Sequence, residues 1–321
     1  MISRRHFGAL AALVVFTGPA AGAEWPEKPI RIIYPYAAGS TGDATARLIA
    51  SRLSDVLGHP VIVENRVGAN GVIGTQAVAR SVPDGHTLLW AITPQIAISP
   101  AMTKVPYDPV KDFVPISAIA INRFALIVNA RSPVRTVGEF VGHVRAQADG
   151  FVYPEGGAGS ISHLAMALFL YRAGLKGTNV SFKGNAPALT EVVAGRLPAM
   201  FSGFGDALSH VESGSIRMLA VSSDQRSAQA PNVPTIAESG FPGFAATSWW
   251  GLMAPAGTPR PIVDRIAAEA GNITRDPKIA EQLTRFGVDP VGNTPSEFTA
   301  MISADIKLWA AAVKAAGLQA Q

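Results

Sequence analysis

The sequence predicts an α/β protein of two domains. Apolar, strand-like runs alternate with helix-period patterns along the chain. Setting aside 23 N-terminal residues as an export signal leaves about 300 residues, two domains by the usual size relation. Composition is 48% hydrophobic with no cysteine, so the core must carry stability without disulfides.

The elements follow in order. Ile30 to Tyr34 is a strand. Ser40 or Thr41 caps a helix through Leu57, stopped by Gly58, with Ile49, Leu53, Val56 and Leu57 on one face. Val61 to Val63 is the next strand, and glycines lead into a helix ending near Arg80. His86 to Ile92 and Ala125 to Asn129 are strands. Thr136-Val137-Gly138-Glu139 is a capping box for a helix to about Ala148. Phe151 to Tyr153 is a short strand, after which Ser160 caps a helix that Gly174 ends. Val180 to Phe182 is a strand. Pro187 sits in the first turn of a helix to Gly195, and Asp206 starts one running to Glu212. Ile216 to Val221 is a strand, Ser222 to Phe244 a looser segment, and Ser248 to Ala254 a strand. Asp276-Pro277 opens a helix closed by Gly287. Thr294-Pro295-Ser296-Glu297 opens the last one.

The chain starts as a signal peptide does. Arg4 and Arg5 supply positive charge, Ala9 to Phe16 an apolar run, and Ala21-Gly22-Ala23 an A-x-A site, so cleavage after Ala23 and a periplasmic mature protein are expected. Ser3-Arg4-Arg5-His6-Phe7 also resembles a twin-arginine signal; an ordinary basic n-region is favoured. No other apolar stretch approaches roughly 18 uninterrupted residues. Net charge is +4 and falls to +2 without Arg4 and Arg5, and no Lys/Arg tract stands out, which argues against nucleic acid.

Two segments carry candidate chemistry. Tyr34-Pro35-Tyr36-Ala37-Ala38-Gly39-Ser40-Thr41-Gly42-Asp43 joins the first strand to the first helix. Tyr153-Pro154-Glu155-Gly156-Gly157-Ala158-Gly159-Ser160 does the same in the middle third. Small residues and hydroxyls at a helix N-terminus suit an anion, because free N–H groups and the helix dipole converge there. Either loop alone reads as a tight turn with an N-cap; one in each half points to binding.

Other constellations read blandly. Gly68, Gly71 and Gly74 follow a G-x-x-G-x-x-G spacing, not the dinucleotide one, and suggest close helix packing. The six histidines are scattered, with no metal motif, and no cofactor is expected. Ser160 and His163 share a helix face and define the rival reading, a secreted hydrolase. Ser162 stands where a nucleophile elbow needs glycine, so Ser160 reads first as a cap. Asp43 and Asp206 could pair across a cleft, though each more simply serves a helix start. Lys183 could meet a carboxylate or simply be solvated. Trp249 and Trp250 straddle a strand, one facing core and the other a cleft.

In this order, the motifs resemble the substrate-binding receptors of the tripartite tricarboxylate transporters, the Bug proteins. The resemblance runs from Trp25-Pro26-Glu27-Lys28-Pro29-Ile30-Arg31 through the Tyr34-to-Arg47 segment, Val61-Ile62-Val63-Glu64-Asn65-Arg66 and Pro83-Asp84-Gly85-His86-Thr87-Leu88-Leu89. It continues at Gly159-Ser160 with His163-Leu164-Ala165, Phe182-Lys183-Gly184, Pro231-Asn232-Val233-Pro234-Thr235 and Trp249-Trp250-Gly251-Leu252-Met253-Ala254-Pro255. It implies a two-lobe type II periplasmic-binding fold, one lobe of residues 24–124 plus 229–321 and the other of 125–228. It also implies a small carboxylic or amino acid ligand and an integral-membrane permease as partner; a monomer is expected. The two loops would hold a ligand carboxylate, with Tyr36, Ser40, Thr41 and Asp43 from the first and Ala158, Gly159, Ser160 and His163 from the second. Thr93 falls at a further family contact, and Lys183, Ser202 and Asp206 complete the candidate set. The chain departs from the family pattern at Ala37-Ala38-Gly39, often P-G-G there, and at Ser202-Gly203, often Asp-Asn. The missing acid after Phe201 weighs against an amino-acid ligand, although Asp206 lies nearby.

Overall fold

A computed structural model describes residues 25–147, 150–315 and 317–318. The predicted signal peptide, Glu24 and the predicted helix end at Ala148 lie outside the described residues. Strands are β1 (Ile30–Tyr34), β2 (Val61–Asn65), β3 (Thr87–Ile92), β4 (Phe113–Asn122), β5 (Phe124–Asn129), β6 (Phe151–Glu155), β7 (Gly177–Ser181), β8 (Ala199–Gly203), β9 (Ile216–Val221), β10 (Ser248–Pro255) and β11 (Val288–Pro290). Helices are α1 (Thr41–Leu57), α2 (Val72–Ala79), α3 (Ser99–Met102), α4 (Val137–Arg145), α5 (Ile161–Arg172), α6 (Asn185–Val193), α7 (Phe204–Glu212), α8 (Arg260–Arg275), α9 (Pro277–Arg285) and α10 (Pro295–Ala315).

The strands separate into two groups. One sheet runs β11-β4-β10-β3-β1-β2, with β1 parallel to β2 and β3, and β10 antiparallel to both β3 and β4. The other group is β8-β5-β9, fully antiparallel, beside the parallel pair β6-β7. The period-two alternation of side chains splits each sheet between two cores. In the first, Ile30, Ile32, Leu88 and Trp90 pack with α1 and α8, while Ile33, Leu89 and Ala91 pack with Val78, Phe298 and Ile302. In the second, Phe124, Leu126 and Val128 face α4 and α5, and Ala125 and Ile127 face α6 and α7.

The chain passes between the groups twice, at Asn122–Phe124 and between Val221 and Ser248. The two passages are stitched together. Ser222 N–H donates to Phe124 O (2.7 Å), Phe124 N–H donates to Ser222 Oγ (3.1 Å), and Ser222 Oγ donates to Ala246 O (2.6 Å). The looser segment is therefore ordered: Ile236, Phe244 and Ala246 enter the second core, as do Trp309, Ala312 and Val313 near the end of α10.

Most predicted elements appear within a residue or two. The strand expected at Val180 to Phe182 instead spans Gly177–Ser181, because it pairs in register with Phe151–Glu155. The glycine spacing at Gly68 to Gly74 serves packing: a Cβ on Gly74 would lie 2.8 Å from Arg66 O and 2.9 Å from Pro35 Cβ.

Candidate functional site

Between the two groups of strands lies a cleft of about 760 Å³. Helix N-termini and strand ends are presented to it. Its walls include the first loop from Tyr36 to Gly42, the second loop at Gly156 and Ser160, and the turn from Lys183 to Pro187. Its floor includes Asn122, Phe124, Ser248 and Trp250, at the two crossings of the chain.

The first loop is held from behind. Ser40 is the N-cap of α1, its Oγ accepting from Asp43 N–H at 3.2 Å and lying 2.8 Å from Tyr34 Oη. Burial pushes the Tyr34 hydroxyl up to about 12, so it stays a neutral hydrogen-bonding group. Tyr36 Oη donates to Asn70 O at 3.2 Å. Asp43 is buried and fully engaged: Arg47 Nε donates at 3.0 Å, Arg47 Nη2 at 3.1 Å, Asn65 Nδ2 at 2.9 Å and Gly39 N–H at 3.1 Å. Burial alone would raise its pKa, but the bonds from Arg47, Asn65 and Gly39 outweigh this and hold it below the ordinary carboxylate range.

The second loop is built round buried polar groups. Glu155 accepts from Gly157 N–H, from Asn179 Nδ2 (3.2 Å) and from Ser160 Oγ (3.4 Å). Ser162 Oγ accepts from Gly156 N–H (3.0 Å) and donates to Asn185 Oδ1 (2.8 Å), tying α5 to the start of α6. A Cβ on Gly156 would lie 2.9 Å from Asn185 N, so only glycine lets these two turns approach. Ser160 caps α5 through His163 N–H at 3.3 Å. The starts of α1, at Ser40, Thr41 and Gly42, and of α5, at Ser160 and Ile161, thus both line the cleft.

Of the residues singled out from sequence, Tyr36, Ser40, Thr41, Ser160, Lys183 and Asp206 line the cleft; Asp43, Thr93, Ala158, Gly159, His163 and Ser202 do not. Thr93 is buried, its Oγ1 accepting from Trp249 N–H at 2.9 Å, and so pins β10 to the turn after β3. Ser202 is buried within β8, with its hydroxyl on Gly203 O. Ala158 is exposed elsewhere on the loop. Gly159 N–H donates to His163 Nδ1 at 3.3 Å, and its Cα faces Met102 and Ile98.

An Nδ1 that accepts marks a neutral imidazole. Burial lowers the pKa of His163 to match, opposed by Glu155. The ring is committed to Gly159, and no hydrogen bond links it to Ser160 Oγ among the described residues. Asp43 and Asp206 do not pair: Asp206 Oδ1 instead accepts from Thr41 Oγ1 at 3.3 Å. Among the described residues no three His, Asp or Glu side chains gather where a metal could sit.

Sequence reasoning missed Asn122, Asn185 and Ser248. Asn122 ends β4, a strand hidden by Pro115. Ser248 pairs with Asn122 in register, buried, its hydroxyl without a protein partner. The two tryptophans divide as expected. Trp249 packs edge-on against Phe298, and Trp250 lines the cleft.

Two α/β lobes joined by paired crossings over an anion-suited cleft define a periplasmic-binding-protein fold. The family model of the tripartite tricarboxylate transporter family receptor matches residues 45–318, and the chain belongs to this family. It is 38% identical to a UPF0065 protein of Bordetella bronchiseptica over 90% of this chain and 86% of that one. It is 32% identical to Protein BugT of Bordetella pertussis over 97% and 96%. Among solved structures, R. palustris Rpa4515 with adipate superposes with a TM-score of 0.83 at 32% identity, covering 92% of this chain and 99% of that one. MatC from Rhodopseudomonas palustris with bound malate gives 0.80 at 29%, covering 90% and 100%.

Proposed function

We propose that this protein is the solute-binding receptor of a tripartite tricarboxylate-type transporter, taking up a small carboxylate between its lobes and doing no chemistry on it. The observation that carries this reading is the pair of helix N-termini, α1 and α5, that line one cleft together with small residues. Each offers roughly half a positive charge and unpaired N–H groups to an anion. The cleft volume suits a small organic acid. The related structures with adipate and with bound malate support the same ligand class. Ser160, Thr41, Ser40, Tyr36 and Lys183 are the proposed contacts, with Asp43, Gly159 and His163 holding the loops behind them.

The lobes we propose are residues 24–124 plus 229–321 and residues 125–228, with Ile236, Phe244, Ala246 and the end of α10 packed on the core of the second. Residues 1–23 are the proposed export signal, the periplasm the compartment and a two-component integral-membrane permease the partner. No helix among the described residues is long and apolar enough to cross a membrane.

A panel of mono- and dicarboxylic acids and their esters, followed by thermal shift, titration calorimetry and product analysis, tests the reading. Saturable stabilisation without product is expected. Ester turnover without saturable stabilisation would favour the Ser160/His163 hydrolase. Failure of every acid to raise the melting temperature would favour an envelope interaction protein with an empty cleft.

A further inference from the structure

The two loops look alike in sequence but sit in opposite electrical surroundings. The second loop lies against the turn that carries Lys183: Ser162 is bonded to Asn185, and Gly157 lies beneath Phe182 O. Lys183 is exposed to the cleft there, a cation beside the N-terminus of α5. The first loop has no such companion. Its own acid, Asp43, is neutralised by Arg47, and the guanidinium is spent on Asp43 and Asn65 (2.7 Å). What faces α1 from the other lobe is a carboxyl group, Asp206, through Thr41.

Among the residues that line the cleft with Asp206, Asn122 and Ser248 are polar and uncharged. A Cβ on Gly203 would lie 2.8 Å from Asp206 Oδ2 and 3.7 Å from Asn122 Nδ2, so these two groups converge over a glycine that leaves room. Ser248, paired with Asn122 in the β4–β10 ladder and only 3% exposed, adds a hydroxyl without a partner in the protein. A buried hydroxyl without a partner is destabilising, and a ligand group can relieve it.

Resting on the receptor reading above, we propose that the cleft is electrically one-sided: it takes a carboxylate at the Lys183 and α5 end and a hydrogen-bond donor, a hydroxyl or ammonium, at Asp206 and Ser248, where Asn122 Nδ2 can in turn donate to a ligand hydroxyl. The preferred ligand is then a hydroxy- or amino-acid with its donor distant from the carboxylate, and Asp206 disfavours a second carboxylate. Asp206 is open to solvent in the cleft, so a ligand donor can reach its carboxyl group beside the Thr41 hydrogen bond.

Matched probes of one chain length test this. Adipate, 6-hydroxyhexanoate, 6-aminohexanoate and hexanoate are titrated into the mature protein, with succinate, 4-hydroxybutyrate and 4-aminobutyrate as a shorter set. A donor-bearing acid should bind at least tenfold more tightly than the dicarboxylate of its length. Asp206→Asn should cut that ratio at least tenfold, and Ser248→Ala should weaken the donor-bearing acid without lowering the melting temperature of the empty protein. Dicarboxylates binding as well as or better than the donor-bearing acids, or a ratio unmoved by Asp206→Asn in a variant that melts normally, overturns the one-sided cleft and leaves the receptor reading standing. Binding of no acid in either set sinks both.

Discussion

Asp43→Asn isolates the support behind the first loop. Each Asp43 oxygen takes two donors: Oδ2 those of Gly39 and Arg47 Nε, Oδ1 those of Asn65 and Arg47 Nη2. An amide keeps one oxygen, so its NH2 must face two donors whichever way it turns. Two charge-assisted bonds are lost, each about 1.5–3 kcal/mol. The Arg47 side chain is 48% exposed and recovers water, whereas the Asp43 side chain, at 6%, does not. The net loss should be about 2–4 kcal/mol, or on the order of 5–10 °C for a chain of this size. The effect must also follow pH. Because the folded pKa is depressed, the carboxylate stabilises fully above roughly pH 4, the ordinary Asp value, and that stability is lost as pH falls through the folded pKa. Denaturant melts of both proteins at pH 7 and pH 3.5 should therefore show a wide gap that narrows in acid. Equal stability at pH 7, or a gap unchanged in acid, would refute the argument.

Other outcomes follow from the same geometry. Gly159→Ala places a Cβ 2.6 Å from Met102 Sδ at a φ of +76°, so the empty protein should lose at least about 1 kcal/mol in a thermal melt; undiminished stability would mean that this contact yields freely. Asp305 is raised to about 6 by burial, opposed by its 2.7 Å bond from Trp249 Nε1. Its folded pKa lies above the unfolded one, so stability is full below roughly pH 4 and should decline as pH rises through 6; Asp305→Asn should flatten that slope in melts across the window. Mass spectrometry of exported protein should find Glu24 as the first residue, and a retained Met1 would remove the localisation.

Local chemistry was the legible part of the chain. Ser40 with Asp43, Thr136 with Glu139 and Asp276 before Pro277 mark helix starts because a cap acts over three residues, and each is found capping. β4 and α8 went unread. β4 carries Pro115 and is central only because β10 and β11 arrive much later to flank it. α8 starts at Arg260 without a side-chain cap after Pro259, leaving its start with no such mark. At the site, sequence found which loops bear small residues at helix starts. It could not say that Asp206 arrives beside Thr41, because that depends on how distant segments are brought together.

The position of β10 has a consequence for how the protein comes into being. It lies between β3 and β4, yet is made more than a hundred residues after either. Until Ser248–Pro255 emerges, β3 has an open edge and β4 has no partner strand in the sheet. Such edges are templates for misassembly, and pairing across so long a span is slow. A nascent chain halted before residue 248 therefore has a complete smaller lobe's strand set but a larger lobe without its centre. Placing the last large strand in the middle keeps the larger lobe loosely folded until the chain is nearly whole.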